Sequence, residues 1–290
     1  MSLLDKASLV MTPNAVKATK VYSVIPSNGN GDMTFSRGTP ASGTRTNSNG
    51  VIENVAIDVP RLNYDTVGGC PSLLLEPQRT NLVTYSEDFS NNSWSKISTG
   101  ASSPPTVLAD NAISPNGTLS ADTVNFGYSV SPDQSILNKV IVLPAGTYTF
   151  SAYIKSEQVG TIIILRLGSV SKLITLTNQY VRYTSTITTG VEASNEVGFK
   201  IQPFLETSSV AVIQVWGAQL EQGTYATTYI PTTTGTVTRV ADTMTVSPPI
   251  GTVKITTTFS DDTTQIITTI PSTYTAPIGK IKLILMQHTL

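Results

Sequence analysis

No stretch of a dozen residues in this chain carries a helical stripe free of Pro and Gly. Alternation with a period of two recurs instead, and this constrains the fold more than any other feature. In Gly146–Lys155 (GTYTFSAYIK), Tyr148, Phe150, Ala152 and Ile154 share one face, and Thr147, Thr149, Ser151, Tyr153 and Lys155 share the other. One apolar and one polar face describe a strand with a core on one side and water on the other. Thr, Val, Ile and Tyr dominate elsewhere, and such side chains fit a pleated surface better than a helix. The expected fold class is all-β.

From about Thr80 the strands follow one another closely. The pattern predicts Ser120–Phe126, Ser135–Val142, Gly146–Lys155, Thr161–Leu167, Lys172–Leu176, Val181–Thr188, Glu196–Pro203 and Val210–Leu220, separated by Gly, Pro and Asn. About eight strands at this spacing suit a two-sheet antiparallel sandwich. Thr161–Leu167 (TIIILRL) is apolar on both faces and fits an inner strand.

The flanks read differently. Upstream, Ser2–Ala7 suggests one helical turn, Lys20–Ile25, Met33–Arg37 and Val51–Ile57 short strands, and Gly38–Gly50 loop. Little core is evident, and residues 1–79 are expected to be an irregular attachment arm. Downstream of the Thr-rich run Thr224–Thr236 come Thr243–Val246, Thr252–Phe259, Gln265–Ile270 and the apolar KIKLILM of Lys280–Met286. A short piece with so much apolar surface needs cover. The expected division is therefore 1–79, a sandwich at 80–236, and a C-terminal β segment at 237–290. The last is expected to knit a homo-oligomer, a trimer first and a dimer second.

Composition excludes several functions. The 290 residues include 18 Lys+Arg and 19 Asp+Glu, a net charge of -1. That balance supplies no basic face for nucleic acid. The lone histidine, His288, gives no His-based metal cluster, and no Ser–His or Cys–His dyad away from the C-terminus. The lone cysteine, Cys70, excludes an intramolecular disulfide. Nucleophile-elbow and phosphate-loop motifs are absent, and Glu76, Glu87, Asp88 and Asp110 lie scattered in loops, so no enzyme is expected. Asp5 and Lys6 interrupt what would be the apolar core of a signal peptide, and no run approaches the roughly 18 apolar residues of a membrane span. The expectation is a chain made in a cytoplasm, without membrane insertion.

Three separated phrases carry a resemblance. Leu73–Trp94 (LLLEPQRTNLVTYSEDFSNNSW) resembles a signature segment of bacteriophage virion proteins, found in head and tail fibres before a carbohydrate-binding-module-like sandwich. Asp32–Asp65 resembles the segment that opens such proteins, and Val212–Thr232 (VIQVWGAQLEQGTYATTYIPT) resembles the closing strand and exit of that sandwich. The N-terminus and tail are similar to proteins from phages of Bacteroidetes hosts, including crAss-like phages. The resemblance covers roughly residues 1–246. It implies a jelly-roll sandwich in a fibre or decoration protein of the virion. Its partners would be other virion proteins, further copies of itself, and host-surface or mucin glycans. The alternative is a dedicated carbohydrate-binding module without a structural role. A Ser/Thr-rich, low-charge surface with 44 Thr and 31 Ser agrees with work outside a cell.

Individual residues extend these expectations. Trp94, Tyr225 and Tyr229 are candidate stacking platforms for a sugar ring, with packing as the competing reading for Trp94 and a neighbouring subunit as the competing surface for the tyrosines. Trp216, in an apolar strand, is expected in the core. Glu221 is the candidate for a structural Ca²⁺, although one carboxylate falls far short of six to eight oxygens. No other cofactor is expected. Arg79 is expected to pair with Glu76, and Asp261 and Asp262 to form a hairpin turn.

Overall fold

The computed structural model describes residues 6–17, 19–38, 43–65, 67–127 and 131–289. Among them the regular structure is strand, with a 3-10 turn at Pro203–Leu205. The N-terminal part carries β1 (Ala7–Lys17), β2 (Lys20–Ile25), β3 (Met33–Ser36), β4 (Gly43–Thr46), β5 (Ile52–Val55), β6 (Arg61–Asn63) and β7 (Ser72–Leu75). The middle carries β8 (Arg79–Asn81), β9 (Ser95–Ser98), β10 (Thr106–Ile113), β11 (Leu119–Phe126), β12 (Ser135–Leu143), β13 (Gly146–Lys155), β14 (Ile162–Leu167), β15 (Val170–Thr175), β16 (Val181–Thr189), β17 (Ala193–Ile201), β18 (Ala211–Gln222) and β19 (Val237–Arg239). β20 (Thr243–Val246), β21 (Thr252–Phe259), β22 (Thr264–Ile267), β23 (Tyr274–Thr275) and β24 (Gly279–His288) follow. The chain divides into unit 1, residues 1–79 with 239–290, and unit 2, Thr80–Thr238.

Unit 2 is an antiparallel sandwich of jelly-roll type. Its two five-stranded sheets run β10-β11-β18-β13-β16 and β15-β14-β17-β12-β9, so successive strands keep crossing between sheets. The period-two residues of β13 all point inward: Tyr148, Phe150, Ala152 and Ile154 join Leu137, Ile163, Leu165, Phe199, Ile213 and Leu220 in one core. The predicted strands appear within a few residues of their expected bounds. β9 and β10 were not predicted: Ser95–Ser98 is too short to show a period, and the polar Asp110 and Asn111 break the alternation of Thr106–Ile113. Asn81 pins the start of the sandwich. Its Nδ2 donates to the carbonyls of Ala218 (3.0 Å) and Ile230 (2.8 Å), and its Oδ1 accepts from the N–H groups of Val83 and Leu220 (both 3.1 Å). The hydroxyls of Thr80 and Thr238 lie 2.8 Å apart, so the chain enters and leaves unit 2 at neighbouring points.

Unit 1 corrects the expected division. The N-terminal arm and the C-terminal segment are parts of one ten-stranded sheet whose main path runs β22-β21-β24-β1-β2-β3-β20-β23, with β7 and β6 joined at β24. β24 lies between β1 (Val10↔Leu285) and β21 (Thr256↔Leu285). Its Ile281, Ile284 and Met286 are buried with Leu9, Met11, Phe35, Leu73, Leu75 and Met244. Each segment alone would leave an apolar face in water, and each covers the other. The apolar surface on which a tail-knit oligomer was expected is thus buried within the chain. The stretch expected as loop at Gly38–Gly50 contains β4, paired with β5. Of the expected helical turn, Ser2–Asp5 lie outside the described residues, and Ala7 opens β1.

A charged cluster closes unit 1. Arg37, Arg61 and Arg239 are 1%, 0% and 0% exposed, burial that charged groups tolerate only when paired. Asp242 pairs with Arg61 and with Arg37 (3.5 Å), and Glu76 with Arg61 (2.7 Å) and Arg239 (3.0 Å). Asp242 also accepts from the Glu76 N–H (2.8 Å). The Glu76 carboxylate therefore serves Arg61 and Arg239, where a pairing with Arg79 was expected. Asp261 does form the expected turn, accepting from the Thr263 N–H (3.0 Å).

Candidate functional site

The outer face of the β13–β18 sheet is closed by the chain's own exit. After β18 the segment to Pro231 folds back over it. Trp216 (1% exposed) packs on Tyr229 (4.5 Å between ring centres) and Tyr153 (5.6 Å). Arg182 lies over the Tyr153 ring and donates to the Thr227 carbonyl (2.5 Å). Glu221 is fully buried. It accepts from Gln219 Nε2 (2.7 Å), the Thr227 N–H (2.8 Å) and Thr227 Oγ1 (2.6 Å). Its carboxylate is engaged by N–H and O–H donors that hold the exit segment. Among the described residues no three His, Cys, Asp or Glu side chains form a group that could hold a metal.

On the outer face of the other sheet, register places Leu173, Ile164, Lys200, Ile136 and Ile97 in one row across its strands; the row is exposed at its ends, Leu173 and Ile97, and buried between them. The outward strand residues of this face are aliphatic or polar, with no aromatic ring among them for a sugar to stack on.

A groove of about 550 Å³ offers such a ring. One wall is the loop residues Tyr85, Glu87 and Asp88. The other is Pro231, Thr232, Thr233 and Val237 on the exit path. The loop is built from short polar side chains that bond their own backbone. Asp88 accepts from Ser90 Oγ (2.7 Å) and the Asn91 N–H (2.9 Å), and Asn91 accepts from the Ser93 N–H (3.0 Å). The walls are stitched by Tyr85 N–H to the Thr233 carbonyl (2.7 Å), Thr232 N–H to Ser86 Oγ (2.9 Å), and Thr232 Oγ1 to the Val83 carbonyl (2.6 Å). Tyr85 has φ 52°, a left-handed conformation that non-glycine residues rarely adopt.

The structure places the sequence candidates beneath this groove or away from it. Trp94 is 1% exposed and packs against Phe89 (4.8 Å between ring centres), so it presents no free face to a sugar. Its indole N–H donates to the Tyr85 carbonyl (3.0 Å). Tyr229 is 2% exposed and likewise no platform, but its hydroxyl donates to Glu87 Oε1 (2.9 Å) and stands 2.6 Å from Ser86 Oγ. Both rings are supports for groove residues. Tyr225 is half exposed and does not line the groove.

The two adjacent carboxyls differ in character. Burial pushes Glu87 above the usual carboxylate range, against the hydrogen bond from Tyr229. Burial acts in the same direction on Asp88, but bonds from Ser90 and Asn91 outweigh it and hold that group below the usual range. Burial also drives the Tyr229 phenol well up, with Glu87 adding to the effect. Tyr229 thus stays a donor to Glu87 through the physiological range. Tyr85 and Glu87 were missed as site residues, although both lie in the YSEDFSNNSW phrase that carries the resemblance.

No protein-family model matches this chain, and no curated protein matches it. Among solved structures it is similar to TmCBM61 in complex with β-1,4-galactotriose, at 14% identity and a TM-score of 0.35, covering 49% of this chain and 99% of that one. It is similar to the enzymatically active domain of tailspike protein 4 of bacteriophage CBA120, at 14% identity and 0.33, covering 48% of this chain and 21% of that one. The family 11 carbohydrate-binding module from Clostridium thermocellum, in complex with a mixed-linked tetrasaccharide, aligns at 11% identity and 0.33, covering 55% and 98%. At such scores the likeness carries no argument about function, and the fold stands on the chain's own strand order.

Proposed function

We propose that the chain is a surface protein of a phage virion, a head or tail fibre or decoration protein, whose unit 2 binds a host-surface or mucin glycan in the Tyr85–Glu87 groove. The observation that carries the binding reading is the groove itself. It has the volume of a small-ligand site, a tyrosine ring, a proline and a valine for apolar contact, and carboxyl and threonine groups for a polyhydroxylated ligand. The ordered sequence phrases support the virion reading. Unit 1, which contains both chain ends, is then the part that engages other virion proteins.

The test is binding of the full chain to an array of neutral and acidic oligosaccharides. Tyr85→Asn removes the ring and keeps a residue that tolerates the left-handed backbone. It is expected to lower binding about tenfold or more, the loss of roughly 1.4 kcal/mol. Wild-type binding unchanged in this variant would move the site elsewhere. Electron microscopy of particles carrying a labelled copy tests the virion reading, and absence of label from purified particles would overturn it.

A further inference from the structure

Lys139 lies on β12 among the inward residues Leu137 and Leu143, and is 6% exposed. A buried ammonium is costly unless its protons find acceptors. Here Nζ donates to the Thr84 carbonyl (2.6 Å), Thr84 Oγ1 (3.0 Å) and Ser93 Oγ (2.8 Å). It also stands 4.9 Å from the centre of the Trp94 ring and 5.4 Å from that of Tyr85, within cation–π range. Its partners are three neutral oxygens and two rings.

Thr84 and Ser93 are the two ends of the loop that carries Tyr85, Glu87 and Asp88. One ammonium therefore closes this loop at its neck. The strained backbone of Tyr85 gives that closure a purpose. A left-handed non-glycine residue persists where its surroundings over-determine it, and such residues gather at ligand clamps. The peptide before Tyr85 is held through the Thr84 carbonyl by Lys139. The Tyr85 N–H is held by Thr233, and its carbonyl by the Trp94 indole.

We propose that Lys139 is the positioning residue of the groove: its ammonium locks the neck of the Thr84–Ser93 loop and so sets the ring of Tyr85 against the bound sugar, without touching the sugar itself. This rests on the reading of the groove as a glycan site. Burial pushes Lys139 down to about 8, with Asp88 opposing the shift and Lys96 adding to it. The lock therefore loosens on the alkaline side of neutrality. The other titratable groups facing it are Asp88 and Tyr85 of the loop and Lys96 of β9. All of them remain in a Lys139→Met variant.

Hydrogen–deuterium exchange on the full chain at pH 7 reads the lock without any ligand. Lys139→Met is expected to speed exchange across residues 84–93 about tenfold or more while β13 and β18 keep their protection. Equal exchange in the loop overturns the proposal. If Lys139→Met unfolds the sandwich, Ser93→Ala, which removes one acceptor, decides by the same criterion. On the oligosaccharide array, wild-type binding is expected to weaken from pH 7 to pH 9.5, and Lys139→Met to bind at least tenfold more weakly with no such decline. Coinciding pH profiles overturn the proposal as well. A wild type that binds nothing on the array, or binds undiminished as Tyr85→Asn, sinks the groove reading instead and leaves exchange to judge the lock.

Discussion

The guanidinium of Arg61 is hydrogen-bonded to the carboxylate of Asp242, 181 residues further along the chain, with both side chains fully buried. Between them in sequence lies the whole of unit 2. The pair belongs to the cluster of Arg37, Arg61, Arg239, Glu76 and Asp242, in which cations outnumber carboxylates three to two. Such a cluster adds little if compared with a well-packed apolar core, but breaking it leaves charge stranded away from water.

Asp242→Ala takes the paired carboxylate from Arg37, which keeps the carbonyls of Val55 and Ala56, and one of two carboxylates from Arg61. Unit 1 is expected to lose about 3–5 kcal/mol, the usual cost of removing one partner from a buried ion pair. Both tryptophans, Trp94 and Trp216, lie in unit 2. Urea unfolding followed by far-ultraviolet circular dichroism should therefore shift to lower urea, while the tryptophan fluorescence transition stays in place. A fluorescence transition that moves equally would show that the two units unfold together.

Residues 80–238, excised, should fold alone into an antiparallel sandwich. The ends meet at Thr80 and Thr238, and the core needs no residue outside this range. Ending the fragment at Pro231 removes the Thr232 bonds to Ser86 and Val83 and should lower its melting temperature. Circular dichroism melts of the two fragments make the comparison, and identical melts would count against the role of Thr232.

Asn81→Ala deletes one amide that makes four hydrogen bonds at a fully buried point. The carbonyls of Ala218 and Ile230 and the N–H groups of Val83 and Leu220 lose their partner. At about 1–3 kcal/mol for each buried group left unsatisfied, unit 2 should lose several kcal/mol. Tryptophan fluorescence in urea measures it. A loss below about 1 kcal/mol would mean that water replaces the amide.

The stability of unit 2 should rise with pH from about 8 toward the ordinary lysine value. In that window the unfolded chain still holds the proton that folded Lys139, at about 8, has released, so each rise in pH favours the folded state. Burial lowers Lys96 and Lys200 too, with the same sign. Burial raises the Tyr180 and Tyr229 phenols, so the gain should reverse above about pH 10, where unfolded tyrosines ionise and folded ones do not. Lys139→Met should flatten the rise in a series of urea titrations from pH 7.5 to 9.5. An unchanged slope would rule Lys139 out as its source.

The strands of the sandwich and the faces they bury are legible in the order of residues, because a period of two is a local property of the chain. Tyr148, Phe150, Ala152 and Ile154 lie inside for that reason. The same alternation in SILNKVIVL carries a readable signal for Lys139, a charge on the inward face beside Leu137. Where each flank finds its cover is a matter of long-range pairing. β1 and β24 are strands whose partners lie at opposite ends of the chain, and nothing local to either records the other. Arg61 and Asp242 are equally silent apart. Trp94 and Tyr229 stood out as aromatics near turns, yet whether a ring faces water or a core depends on what folds over it. Here the exit segment lays its own Tyr229 on Trp216 and buries both, the loop draws Trp94 in beside Phe89, and the groove passes to Tyr85 and Glu87.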